Sequence, residues 1–110
     1  MRTIVDRERD SNSEQYSQLK GEGITYAINF DRVMTDRGTS VSSASITSVN
    51  GNAIVTNQSL ASNIAQADIT TDRDGVALIK VEATQADGNK RIRYIVINCI
   101  DKETSTKDYC

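Results

Sequence analysis

The chain has 110 residues, of which 37% are hydrophobic and 25% are charged, with a formal net charge of −2. This length is typical of one domain with a modest core, and four tyrosines, one phenylalanine and no tryptophan leave that core largely aliphatic. The slightly acidic balance argues against a nucleic-acid partner, because phosphate binding needs a concentrated basic face.

The first 22 residues form a polar stretch, MRTIVDRERDSNSEQYSQLKGE, that mixes both signs of charge. Such a segment is most often disordered, but isolated apolar residues within it are also typical of a segment that becomes ordered on a partner. The sequence therefore predicts an extended N-terminal arm over residues 1–22 that orders only in an assembly, so that its removal leaves the folded body as stable as before. Its candidate partner-binding residues are Ile4, Val5, Tyr16 and Leu19.

No stretch of the chain has the apolar run of a signal peptide or a transmembrane helix. We therefore expect synthesis in a cytoplasm and no membrane partner. In such a reducing compartment Cys99 and Cys110 are expected to be free thiols, with a disulfide between them as the less favoured alternative.

The body begins with GITYAINF at 23–30, where Ile24, Tyr26, Ile28 and Phe30 alternate with smaller or polar residues. This period of two predicts a half-buried strand. The Ser- and Thr-rich stretch at 36–53 contains SASITSV and then Asn50-Gly51, a dipeptide that favours a two-residue type I′ turn. We predict a strand there rather than a linker, closing a hairpin flanked by Val49 and Asn52.

The second half of the body has stronger strand patterns. NIAQADITT at 63–71 allows an early helical turn before a strand over residues 68–71, and DRDG at 72–75 is typical of a type I turn. VALIKVEATQ is the most apolar strand to that point, and ADGN at 86–89 predicts a hairpin into KRIRYIVINC. The basic run at 89–94 is interpreted as solvated strand positions rather than a phosphate site.

These short strands, without a convincing long helix, predict an all-β fold, an immunoglobulin-like antiparallel β-sandwich of about seven strands. The sandwich is expected over residues 23–100, between the N-terminal arm and a polar C-terminal tail at 101–110.

Catalytic patterns are missing from the sequence. The chain has no histidine, which excludes the usual general base, a serine-protease type of triad and the commonest zinc ligand. Cys99 and Cys110 cannot complete a tetrahedral metal site by themselves. We therefore expect no enzyme activity, no cofactor, and no catalytic or metal-binding residues.

The order of ITYAINF, GTSVSSASITS and ITTDRDGVALIKVEATQADGNKRIRYIVINC resembles a group of small tailed-bacteriophage virion proteins, the fibre-tail adaptor and head-neck accessory proteins, which have an immunoglobulin-like sandwich. The resemblance covers residues 23–100. The matching positions are Tyr26, Val41-Ser42-Ser43, Thr84 with Asp87-Gly88, and Arg91-Ile92-Arg93.

This resemblance implies a non-enzymatic structural protein of a virion, made in the host cytoplasm, that links or decorates the neck or tail. Its expected partners are other virion proteins, in a symmetric assembly that contains several copies of the chain. Two alternatives stay open: a capsid decoration protein and a cell-surface immunoglobulin-like adhesion module.

Overall fold

The computed structural model describes residues 1–6, 13–72 and 75–100. They form two four-stranded sheets, packed as a sandwich, and one short helix, which confirms the predicted all-β sandwich. The elements are β1 (Arg2–Val5), β2 (Ser13–Leu19), β3 (Gly23–Asn29), α1 (Asp31–Arg37), β4 (Val41–Ser48), β5 (Ala53–Ala61), β6 (Ile64–Thr71), β7 (Val76–Gln85) and β8 (Lys90–Ile100).

The first sheet has the strand order β1-β3-β6-β5 and the second β2-β8-β7-β4. Without β2, this order corresponds to the A-B-E-D and G-F-C sheets of an immunoglobulin constant-type domain. The N-terminal strands depart from the predicted antiparallel pattern, since β1 pairs parallel with β3 and β2 pairs parallel with β8. Parallel neighbours need a long crossover connection, and here the chain passes through the opposite sheet between β1 and β3.

The core lies between the sheets and is mostly aliphatic. Alternate residues of β6, β7 and β8 point inward, as the period of two requires, and small alanines alternate with larger side chains so that the sheets can approach. Fully buried members of this core include Ala65, Ala67, Ile69, Ile79, Val81, Ala83 and Ile97.

The stretch predicted as an arm supplies edge strands to both sheets. Ile4 points inward from β1 and is 5% exposed, and Gln18 points inward from β2 and is 1% exposed. Asp6, directly after β1, is also buried. Because two of these three buried residues are polar, the segment has no hydrophobic pattern from which its place in the fold could be predicted.

The structure corrects the prediction at Asn50-Gly51. The dipeptide does not close a hairpin, because β4 pairs with β7 in one sheet and β5 pairs with β6 in the other. Gly51 has a φ of 74°, while the Asn50 side chain donates to the Val76 carbonyl at 2.7 Å. The same side chain accepts from the Leu78 N–H at 3.3 Å, so that Asn50 fixes a corner between the two sheets.

The hairpin predicted at Asp87-Gly88 joins β7 to β8 and is confirmed. Gly88 has a φ of 93° and donates to the Gln85 carbonyl at 2.9 Å, while the Gln85 N–H donates to the Asn89 carbonyl at 2.7 Å. These bonds form a three-residue loop, a type I turn followed by a left-handed glycine, rather than a two-residue turn.

One further prediction is settled at β6, and one helix is not predicted. The strand predicted at 68–71 is confirmed and extends back to Ile64, in place of the alternative helical turn. The short helix α1 is not predicted by the sequence pattern, and it ends at Gly38 with a φ of 68°.

Part of the turn predicted at 72–75 and the whole tail at 101–110, with Cys110, lie outside the described residues. Cys99 is a buried free thiol.

Candidate functional site

Three of the four predicted partner-binding residues are wholly or partly buried within the chain. Ile4 belongs to the core, while Tyr16 packs against that core and Leu19 is half-buried. Val5 is the exception, with 42% of its surface exposed on the outer face of its sheet. A role in partner binding stays a prediction for all four residues, and Ile4 in addition holds β1 to the core of its own domain.

A polar network, which we call the Arg2 network, holds the start of β1 and the end of β2 against the body. The Arg2 guanidinium lies 5.2 Å from the Tyr16 ring centre and 5.5 Å from that of Tyr26, and it donates to the Tyr26 hydroxyl at 2.6 Å. That hydroxyl donates to Gln18 Oε1 at 2.6 Å, and Gln18 Nε2 donates to the Ile69 carbonyl at 2.9 Å. Burial raises the pKa of Tyr26, against the opposing effect of Arg2, so the phenol stays protonated and able to donate.

A second network, the Asp6 cluster, crosses between the sheets at the end of β1. Arg91 Nε lies 2.7 Å from Asp6 Oδ2, and Arg91 Nη2 lies 3.0 Å from Oδ1. Arg93 Nε lies 3.1 Å from Asp6 Oδ1 without the alignment of a hydrogen bond, and it therefore interacts chiefly through charge. Arg93 is 1% exposed, so its interpretation as a solvated strand residue is wrong.

The third polar group lines an open cleft of about 580 Å³ at the end of the sandwich, which we call the hairpin cleft. Arg37, from the last turn of α1, donates to Gln85 Oε1, and Gln85 Nε2 donates to Asp87 Oδ1 at 3.0 Å. The Asn89 N–H also donates to Asp87 Oδ1 at 3.0 Å. The cleft is lined by Arg37, Gln85, Asp87, Asn89 and Lys90.

The hairpin cleft can bind through hydrogen bonds and charge. The hydrogen bond from the Asn89 main chain, then that from Gln85, and the nearby charge of Arg37 lower the pKa of Asp87. The rim thus presents the Asp87 carboxylate and the ammonium group of Lys90, which lies 3.0 Å from Glu82 Oε1. Within the described parts of the chain, no group of three or more His, Cys, Asp or Glu side chains could hold a metal ion, and no helix is long and apolar enough to span a membrane.

The pKa of Asp87 gives a testable pH dependence. Folding lowers this pKa below its usual value of 3.8, so the ionised carboxylate stabilises the fold above that pH and loses this effect as the pH falls through the folded-state pKa. We expect Asp87→Asn to lower the urea midpoint at neutral pH and the difference to vanish in strong acid. Asp36→Asn, at an exposed position of α1, is the matched control. A difference in urea midpoint between Asp87→Asn and the original chain that does not change with pH would contradict this assignment.

No family model and no curated protein sequence matches this chain. A solved cysteine protease inhibitor from Entamoeba histolytica is similar with a TM-score of 0.59 and 9% sequence identity, over 90% of this chain and 94% of that one. A Photobacterium 2,6-sialyltransferase, with a TM-score of 0.55 and 13% identity, matches 89% of this chain and 18% of its own. An endo-fucoidan hydrolase of glycoside hydrolase family 107, with a TM-score of 0.54 and 18% identity, matches 83% and 13% respectively. At such identities the likeness is one of fold alone.

Proposed function

We propose that this chain is a non-enzymatic structural protein of a tailed-phage virion, present in several copies in a symmetric assembly at the neck or tail. In this role it links or decorates other virion proteins after synthesis in the host cytoplasm. The sandwich supplies a compact unit whose N-terminal strands are held by the Arg2 network and the Asp6 cluster.

The observation that carries this proposal is where the residues of the resemblance lie. Val41, at the start of β4, pairs with Gln85, and Asp87-Gly88 forms the tip of the adjoining hairpin. The Ala86 N–H donates to the Ser40 carbonyl at 2.8 Å, which ties that tip to the start of β4. Asp87 of the phage-like pattern therefore lines the hairpin cleft, Val41 pairs with the cleft residue Gln85, and we assign partner contact to this end.

Purified particles provide the direct test. Quantitative mass spectrometry of phage particles is expected to find the chain in a fixed, multiple copy number and in the tail or neck fraction. Its presence in infected cells combined with its absence from particles would overturn the proposal. Recovery with isolated heads would instead support the capsid decoration alternative.

A pair of substitutions tests the hairpin cleft separately. Arg37→Gln with Lys90→Gln removes both positive charges but keeps polar side chains, so the fold is expected to persist while incorporation into particles falls about tenfold, the effect of about 1.4 kcal/mol. Arg32→Gln with Lys20→Gln makes the same change of charge at two exposed positions that do not line the cleft. Equal losses from both pairs would exclude a specific role for the cleft.

A further inference from the structure

The free edge of β4 is covered at its centre by one side chain. Gln58 Oε1 accepts a hydrogen bond from the Ile46 N–H at 2.9 Å, and Gln58 Nε2 donates to the Ile46 carbonyl at 2.8 Å. A residue of an adjacent antiparallel strand forms the same reciprocal pair of bonds. The Gln58 amide thus stands in for the peptide groups of a missing neighbour of β4.

A bulge in β5 brings Gln58 to this position. The pairing of β5 with β6 shifts register between Thr56 and Ser59, and Asn57 has a φ of 54°. Asn57 Nδ2 donates to Asp68 Oδ2 at 2.8 Å, which holds the bulge in place. Gln58 itself is exposed, so its amide can leave β4 without disturbing the core.

The edge of β4 has no charged residue or proline to prevent edge-to-edge pairing, and its one register shift against β7, between Val41 and Ser43, lies near the start of the strand and away from Ile46. Natural edge strands are often blunted by charged side chains or proline, and the sequence of β4, VSSASITS, contains neither. Ser43, Ser45 and Thr47 are exposed along the strand, and hydroxyl side chains of this size allow another strand to approach. The Gln58 amide is therefore the main barrier at the centre of this edge.

We propose that β4 is a self-association edge, where two copies of the chain pair their β4 strands antiparallel around a two-fold axis at Ile46. The Ile46 N–H and carbonyl then bond to Ile46 of the second copy, in place of Gln58. This register sets Ser45 opposite Thr47 of the second copy, hydroxyl against hydroxyl and without like charges. The inference rests on β4 and Gln58 and does not depend on the virion role.

Self-association follows from the symmetry of the edge. An isologous contact satisfies the same main-chain groups in both copies, so displacement of the two Gln58 amides leaves neither Ile46 unpaired. The main-chain hydrogen bonds alternate in direction along β4, so the N–H and carbonyl groups of Ala44 and Ser48 also point away from β7. In the dimer, Ala44 of one copy pairs with Ser48 of the other across the two-fold axis. The product is a continuous eight-stranded sheet made from two four-stranded ones.

Disulfide trapping tests the register. In a chain with Cys110→Ser, the pair Ser45→Cys and Thr47→Cys is expected to yield a covalent dimer on mild oxidation, because opposed residues of a non-hydrogen-bonded pair lie within disulfide reach. The control pair, Ser43→Cys with Thr47→Cys, does not face itself in this register. Failure of the first pair, or equal dimer yields from both, would overturn the proposed pairing.

Sedimentation equilibrium of the chain without new cysteines tests the role of Gln58. We expect Gln58→Ala to lower the dimer dissociation constant by about tenfold or more, because the competing amide is gone. Ala44→Pro removes an N–H that faces away from β7, so it is expected to abolish the dimer while circular dichroism shows the sheet retained. A monomeric Gln58→Ala variant, or an unaffected dimer in a folded Ala44→Pro variant, would overturn the proposal.

Discussion

Removal of residues 1–22 is expected to unfold the sandwich rather than release it from a flexible arm. The deletion takes away β1 and β2, the parallel neighbours of β3 and β8, and it uncovers two central strands at once. It also removes the Asp6 carboxylate and leaves Arg93 in the core without it. The expected loss is more than about 5 kcal/mol, which matches the whole stability of many small domains.

The measurement is a thermal melt followed by circular dichroism. The truncated chain is expected to lose its cooperative transition, and a synthetic peptide of residues 1–22 added in excess is expected to restore it. Melting at the temperature of the full chain would reinstate the idea of an independent arm. If the truncated chain loses its transition and the peptide does not restore it, the truncated chain is unfolded, but the segment does not act as edge strands that can be added separately.

The sequence patterns that predict strands here are local. In β7 and β8 the inward residues repeat every second position, so the alternation is visible within ten residues, and the Asp87-Gly88 turn lies between the two strands. The N-terminal segment gives no such signal, because Asp6 is stabilised by Arg91, 85 residues later in the chain. A buried acidic residue and its distant basic partner each have the appearance of a surface residue when the sequence is examined alone.

Two similar turn dipeptides are both predicted to close hairpins, but only one of them does, for a related reason. Asp87-Gly88 joins two strands that pair with each other, whereas Asn50-Gly51 joins strands that belong to different sheets. The local dipeptide favours a reversal of the chain but does not choose which strands become neighbours. The contact between Gln58 and Ile46 could not be predicted for the same reason, because it requires a bulge in β5 that Asp68 of another strand holds in place.

The Asp6 cluster also gives the largest effect expected from a single substitution. Asp6→Ala leaves Arg93 buried beside Arg91 without the carboxylate that both contact, and breaking such a pair costs about 3–5 kcal/mol. For a domain of this size, that loss corresponds to a fall in melting temperature of more than about 12 °C. Asp36→Ala, at an exposed position of α1, is the matched control and should change the stability by less than about 0.5 kcal/mol.

A double variant distinguishes the loss of the ion pair from general damage to β1. Asp6→Leu with Arg93→Met replaces the buried charges by apolar side chains, and such exchanges are often neutral or stabilising because no desolvated charge remains. Arg91 is less constrained, since 14% of its side chain is exposed and its guanidinium can turn toward water. We therefore expect the double variant to recover most of the stability lost in Asp6→Leu alone, as measured by urea denaturation. If the two substitutions instead add, the Asp6 side chain matters for packing at the end of β1 and not for its charge.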